Sequence, residues 1–145
     1  MLQCTGLTGL PEFEASAALR AMDSGPDHLS AVLALHDHVL CELGEHGEHT
    51  EHAAKLWAVA PPADCDLWMF WAGTGIHHVI RFAELPRCLA PIRRPPVRHM
   101  RVCLLFERHP AAHSWDVTDP LRTLLTGLGR QDVRRLYTDG QGDAD

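Results

Sequence analysis

Leu67, Trp68, Met69, Phe70 and Trp71 follow one another without a polar break, the densest apolar stretch of the chain. Asp64 and Asp66 stand in front of it and Ala72-Gly73-Thr74-Gly75 behind it. Aromatic and β-branched residues bounded by Asp and Gly are strand composition. Glycines can supply the positive φ that a tight reversal needs. Ile76, Val79, Ile80 and Phe82 then resume the apolar pattern. The pattern predicts a β-hairpin with arms at residues 66–71 and 76–82.

Upstream, the period changes. Ala15, Ala18, Leu19 and Met22 recur at helical spacing after Pro11, which predicts a helix over 11–22. Asp23-Ser24-Gly25 ends it. Ser24 and Asp27 form a cap-like pair, and Leu29, Val32, Leu33, Val39, Leu40 and Leu43 line one stripe, with His36 in its middle and Gly44 as the stop. This predicts a second helix, with His36 buried and neutral because burial disfavours the imidazolium. A third, over 45–57, would turn Ala53, Leu56 and Trp57 inward, although Gly47 costs it about 1 kcal/mol. Pro61 and Pro62 end it.

After the hairpin, residues 85–97 hold four prolines and read as an irregular loop. Met100, Val102, Leu104 and Phe106 alternate with Arg101, Cys103 and Leu105, predicting a third strand over 98–108. His109 to Trp115 reads as loop. Asp119 and Pro120 open a last helix whose face is Leu121, Leu124, Leu125 and Leu128. Helices, three strands and a helix, in that order, predict an α+β fold: N-terminal helices and a C-terminal helix packed on a small, about three-stranded antiparallel sheet.

The 145 residues, 46% of them hydrophobic and 22% charged, are expected to form one globular domain over 1–145, with loose ends at 1–9 and 140–145. No apolar run approaches the roughly 18 residues of a membrane span. The first residues lack a basic region before an apolar core, so no export signal and a cytoplasmic location are expected.

Charge divides the chain. Residues 1–64 carry ten acids against Arg20 and Lys55; residues 65–145 carry eleven arginines against nine acids. The net charge of −6 makes nucleic acid a poor partner. Arg93, Arg94 and Arg98, with Trp68 and Trp71 of the hairpin, are the candidate interface residues, aimed at another protein or a second copy of the chain.

Eleven histidines are the compositional oddity, and six lie between His28 and His52. Imidazole is a common ligand for zinc and nickel. On a helix, neighbours three apart among His46, His49 and His52 can share an ion, but one ion reaches only two of the three. A further ligand must come from His38, Cys41, His77 or His78. The candidate metal set is therefore His46, His49, His52 and His38. The five scattered cysteines, Cys4, Cys41, Cys65, Cys88 and Cys103, form no CxxC and read as free buried thiols.

His36-Asp37-His38 with Glu42 resembles the first metal-binding motif of the cupin family, in which such histidines project from one side of a strand. In a helix, His36 and His38 point opposite ways. Gly75-Ile76-His77-His78-Val79 resembles the opening strand of a vicinal-oxygen-chelate module, which implies a histidine metal ligand. In a strand, one of His77 and His78 would be buried and the other exposed. Pro110 and the lack of a Glu after His109 remove an HExxH reading of His109 and His113, and no phosphate loop or nucleophile elbow is present. The leading expectation is a small, soluble, non-catalytic protein acting through protein–protein contact, of immunity, antitoxin, chaperone or viral host-binding character and without a cofactor. The alternative is a histidine-rich zinc or nickel binder, a sensor or a metal-dependent hydrolase.

Overall fold

The computed structural model describes residues 1–34, 37–92 and 102–118. Its elements are β1 (Leu7–Gly9), α1 (Glu12–Ala21), α2 (Leu29–Ala34), β2 (His38–Leu40), β3 (His52–Trp57), β4 (Cys65–Ala72) and β5 (Val79–Pro86). β1 pairs with β2, and β3, β4 and β5 form a second antiparallel sheet with β4 in the centre. The fold is α+β.

The apolar run of β4 explains its place. Leu67, Trp68, Met69, Phe70 and Trp71 are all buried, so both faces of the strand are covered, as a central strand requires. Phe106 meets Trp68 and Phe70 edge-on at 5.1 and 5.2 Å. Ala15, Leu19 and Met22 of the first helical segment enter the same core cluster, in the phase that the spacing predicts.

The hairpin forms, with its second arm displaced. β5 begins at Val79 rather than 76 because a 3-10 turn, Gly75–His77, precedes it. His77 N–H donates to the Thr74 carbonyl at 3.1 Å, and Gly73 sits at φ 75°, where a Cβ would strike the His77 carbonyl. Ile76 is left 96% exposed, and His77 and His78 are both exposed rather than divided between two faces.

Two predicted helices are replaced by shorter or extended structure. The second is described over Leu29–Ala34, and Val39 lies in β2, with Thr8 as its partner. Val39, Cys41 and Leu43 are buried while His38 and Leu40 are exposed. That is a period of two, concealed by the leucines that fit a helical stripe. The third helix is absent: residues 52–57 are β3, on the open side of β4, with an irregularity between Lys55 and Trp57. The Ala, Lys and Leu of this segment favour helix in isolation, and pairing with a buried strand overrides them.

The sheet therefore takes its third strand from before the hairpin. Of the strand expected over 98–108, the described part, 102–108, makes only the bridges Pro91↔Val102 and Arg87↔Phe106. Cys103, Leu105 and Phe106 are buried and Leu104 is 62% exposed, which breaks the expected alternation. The expected last helix, the candidate interface residues Arg93, Arg94 and Arg98, and His36 lie outside the described residues. Among the described residues, no helix is long and apolar enough to cross a membrane.

Candidate metal centres

The first centre grows out of two antiparallel segments. Gln3 faces Gly44 and Leu7 faces Leu40. Between these pairs, Cys4 N–H donates to the Leu43 carbonyl at 2.9 Å and Cys41 N–H to the Gly6 carbonyl at 2.8 Å. Each segment thus carries a cysteine into the gap. His46 lies beyond β2 and His52 opens β3, so both return to the same point. Cys4 Sγ stands 3.3 Å from His52 Nδ1, and Cys41 Sγ stands 3.6 Å from His46 Nε2. All four donor atoms lie within 4.8 Å of one another.

Backbone amides prepare the sulfurs. Gly6 N–H donates to Cys4 Sγ at 3.3 Å, and Ala53 N–H to Cys41 Sγ at 3.5 Å. Such donors favour thiolate over thiol. With no cation to oppose it, burial dominates and pushes the Cys41 thiol up to about 12, against the pull of the Ala53 and Leu43 amides. Burial also lowers the His52 pKa, and the neighbouring His46 lowers it further, keeping the ring neutral as a ligand must be.

The second centre repeats this plan. Arg87 faces Phe106 and Pro91 faces Val102. Cys88 N–H donates to the Leu105 carbonyl at 2.8 Å and Cys103 N–H to the Ala90 carbonyl at 2.9 Å. Cys88 Sγ lies 3.5 Å from His113 Nδ1, Cys103 Sγ 3.4 Å from His109 Nε2, and the two histidine nitrogens 3.3 Å from each other. Ser114 N–H donates to Cys103 Sγ at 3.3 Å, as Ala53 does to Cys41. Burial raises the Cys88 pKa, opposed by the Ala90 amide.

Tautomers are set in the same way twice. His46 Nδ1 is 3.1 Å from the Gly47 carbonyl, and His109 Nδ1 is 3.1 Å from the Pro110 carbonyl. A carbonyl only accepts, so each Nδ1 carries the proton and each Nε2 presents its lone pair to the centre. The second histidine of each centre turns Nδ1 inward instead. His52 packs beside Trp71 at 5.3 Å, and His113 stacks on Trp115 at 5.2 Å.

A tetrahedral zinc ion with sulfur at about 2.3 Å and nitrogen at about 2.0–2.1 Å places its donors about 3.3–3.8 Å apart. The four bonded sulfur–nitrogen separations, 3.3 and 3.6 Å in the first centre and 3.5 and 3.4 Å in the second, fall in that range. Either group could hold a metal ion.

Of the four candidate metal residues, the fold brings together His46 and His52. They meet across a turn and a strand rather than along a helix, with ring centroids 4.9 Å apart. His49 is exposed in the intervening turn, and His38 is exposed on β2 opposite Gly9. Trp68 and Trp71, candidate interface residues, lie in the core at 1% and 3% exposure. His78 contributes only a contact with Thr8 Oγ1 at 3.3 Å.

The sequence reads Cys4, Cys88 and Cys103 as free thiols and His109 and His113 as loop, and offers Cys41 only as an accessory ligand. No disulfide forms, and four of the five cysteines lie in groups with histidines rather than as isolated thiols. One sequence signal does exist. Cys41-Glu-Leu-Gly-Glu-His46 and Cys103-Leu-Leu-Phe-Glu-Arg-His109 share a cysteine, a leucine two residues on and a Glu shortly before the first histidine.

Gly6 offers a direct check on the first centre. A Cβ there would overlap the His52 ring at Nδ1, the nitrogen that faces Cys4. Gly6→Ala is expected to displace that ring and weaken metal binding at the first centre by roughly 10–100-fold, the range of outer-shell changes. Competition with a chromophoric chelator measures it, and unchanged affinity at both centres would contradict the geometry. The chain matches no family model, no curated protein and no solved structure, so its function must be argued from these two centres.

Proposed function

We propose that the chain is a small non-catalytic binding protein whose fold is held by two structural zinc ions, one at Cys4, Cys41, His46 and His52, the other at Cys88, Cys103, His109 and His113. The observation that carries this reading is the repetition. Both centres use the same donor set, the same bridged segments and the same choice of nitrogen on each histidine. Chance convergence of surface histidines gives no reason for that correspondence.

Mixed thiolate and imidazole donors in a tetrahedral arrangement suit zinc better than nickel. Four protein donors also leave no position for water, which a hydrolytic zinc centre keeps. This favours the non-catalytic reading over a metal-dependent hydrolase. The partner is taken to be another protein or a second copy of the chain. Phe13 at 83% exposure and Ile76 at 96% offer apolar contact points for it.

Elemental analysis of untagged protein tests the proposal. Two zinc ions per chain are expected, together with the release of about two protons per ion on loading the metal-free protein near pH 7. The protons come from the thiols, so occupancy falls as pH is lowered. Protein that folds with no bound metal, and takes up none when zinc is offered, overturns the reading.

A further inference from the structure

The two centres differ in ways that bear on how each holds its ion. In the first, Cys41 is fully buried and Cys4 is nearly so, at 9% exposure. In the second, Cys103 is fully buried but Cys88 is partly open to solvent. Backbone strain is divided just as unevenly. Among the described residues, Leu89, Arg108 and Ala111 are the non-glycine residues with positive φ, at 55°, 62° and 62°. Leu89 follows Cys88, Arg108 precedes His109, and Ala111 lies between His109 and His113. A left-handed conformation is costly for residues that carry a Cβ, and it persists only where the surroundings impose it. Thr5, the counterpart of Leu89 in the first centre, has no such conformation.

We propose that the second centre is a redox-sensitive zinc site, released by hydrogen peroxide while the first stays loaded; this rests on the zinc reading above. The less buried member, Cys88, attacks first. Its sulfur lone pair forms an S–O bond as the O–O bond of the peroxide breaks, leaving a sulfenic acid and, after protonation, one water. The Cys103 thiolate then attacks that sulfur. An S–S bond forms, the S–O bond breaks, and the hydroxide leaves as a second water on taking up a proton. Two electrons pass from the two sulfurs to the peroxide, and zinc departs as the unchanged dication.

The geometry supports the second step. The four donor atoms of this centre lie within 4.8 Å of one another, so the resolving sulfur is already at hand. The bonds from Cys88 N–H to the Leu105 carbonyl and from Cys103 N–H to the Ala90 carbonyl place the two cysteines diagonally across one gap. The three left-handed residues lie beside or between the ligands of this centre, so the turns that carry those ligands are strained where those of the first centre are not. A thiol reductant reverses the chemistry, because a disulfide, unlike a sulfinic acid, is recovered by thiol exchange.

Stepwise addition of hydrogen peroxide to the zinc-loaded protein tests this. Zinc release is read with a chromophoric chelator, and disulfides by peptide mapping under non-reducing conditions. One of the two zinc equivalents should leave first, together with a Cys88–Cys103 disulfide, and dithiothreitol with added zinc should restore it. The double variant Leu89→Gly, Ala111→Gly, which can hold positive φ without strain, should release that equivalent more slowly. The wild-type measurement stands alone if the variant does not fold. Release of both ions together, first appearance of a Cys4–Cys41 disulfide, or resistance of both centres overturns this inference while leaving the zinc reading intact. A chain that binds no zinc fails at the earlier step instead.

Discussion

Stripping zinc from the purified protein should abolish its cooperative thermal transition or lower the midpoint by tens of degrees. A structural zinc site contributes apparent binding free energies of about 10–16 kcal/mol in small zinc domains near neutral pH. A domain's whole net stability is typically about 5–15 kcal/mol. The segments joined here carry little regular secondary structure. β1 and β2 are three residues each, and a two-stranded sheet of that length is not stable alone. The residues around Cys103 and His109 lie outside the named strands; two isolated bridges join them to the segment after β5, and Cys103, Leu105 and Phe106 enter the core. Chelation should therefore melt both regions, and replaced zinc should restore them. Cys41→Ser and Cys103→Ser should each remove one ion, and together both. Circular dichroism melts with and without chelator measure this. A midpoint that does not move, in protein from which elemental analysis shows the metal gone, would refute a structural role.

The sign of the pH response separates the two forms. Burial holds Cys41 at about 12 in the metal-free chain, above its ordinary range. That burial of a neutral thiol is fully favourable below the ordinary thiol pKa of about 8.5 and is lost as pH rises through the folded value. In the loaded protein the thiolate is the ligand, and acid is what removes it.

The sequence was legible where one physical effect dominates. The central strand could be read because five consecutive apolar residues, Leu67 to Trp71, have only one economical place, covered on both faces. The helix over Glu12–Ala21 could be read because Ala15 and Leu19 sit on one face and few residues compete with them. Legibility failed around the candidate ligands. Residues 38–43 carry leucines at helical spacing, yet Cys41 must be delivered from an extended segment beside Cys4. The buried set Val39, Cys41 and Leu43 shows the strand period only if cysteine is counted with the apolar residues. In the repeat from His46 to His52, the spacing of three suggested a helix, and a turn followed by a strand brings its two ends together instead.

The second centre was hidden by distance. Cys88 and Cys103 are fifteen residues apart, with no short motif between them. Their pairing follows from the bridges Arg87↔Phe106 and Pro91↔Val102, which no local pattern encodes. Spacing of ligands along a chain is informative when one helix or hairpin carries them. Here each centre draws its donors from separate segments, so proximity had to come from the fold.

Asp66→Asn should destabilise the protein by about 3–5 kcal/mol, the usual cost of removing one partner from a buried ion pair. Asp66 is 0% exposed, near the start of β4. Oδ1 accepts from Arg87 Nη2 at 2.8 Å and from Val59 N–H at 3.0 Å; Oδ2 accepts from Arg87 Nε at 2.9 Å and lies 3.4 Å from Lys55 Nζ. Arg87 Nη2 also reaches the Val59 carbonyl. One carboxylate thus ties β3, the turn before β4 and the residue that precedes Cys88. An amide keeps the shape but leaves two cations without a counter-charge. Burial by itself would raise the Asp66 pKa, yet the Arg87 hydrogen bonds, the Val59 amide and the charge of Lys55 outweigh it, and the net shift is downward. A depressed carboxylate contributes stability above its ordinary pKa of about 3.9 and loses it as pH falls through the folded value. The difference between wild type and variant should therefore be largest near neutral pH and shrink in acid, with the zinc contribution common to both. Urea melts of the two proteins across pH measure that difference. A gap below about 1 kcal/mol at neutral pH, the scale of an exposed pair, would show that Asp66 does not hold these segments together.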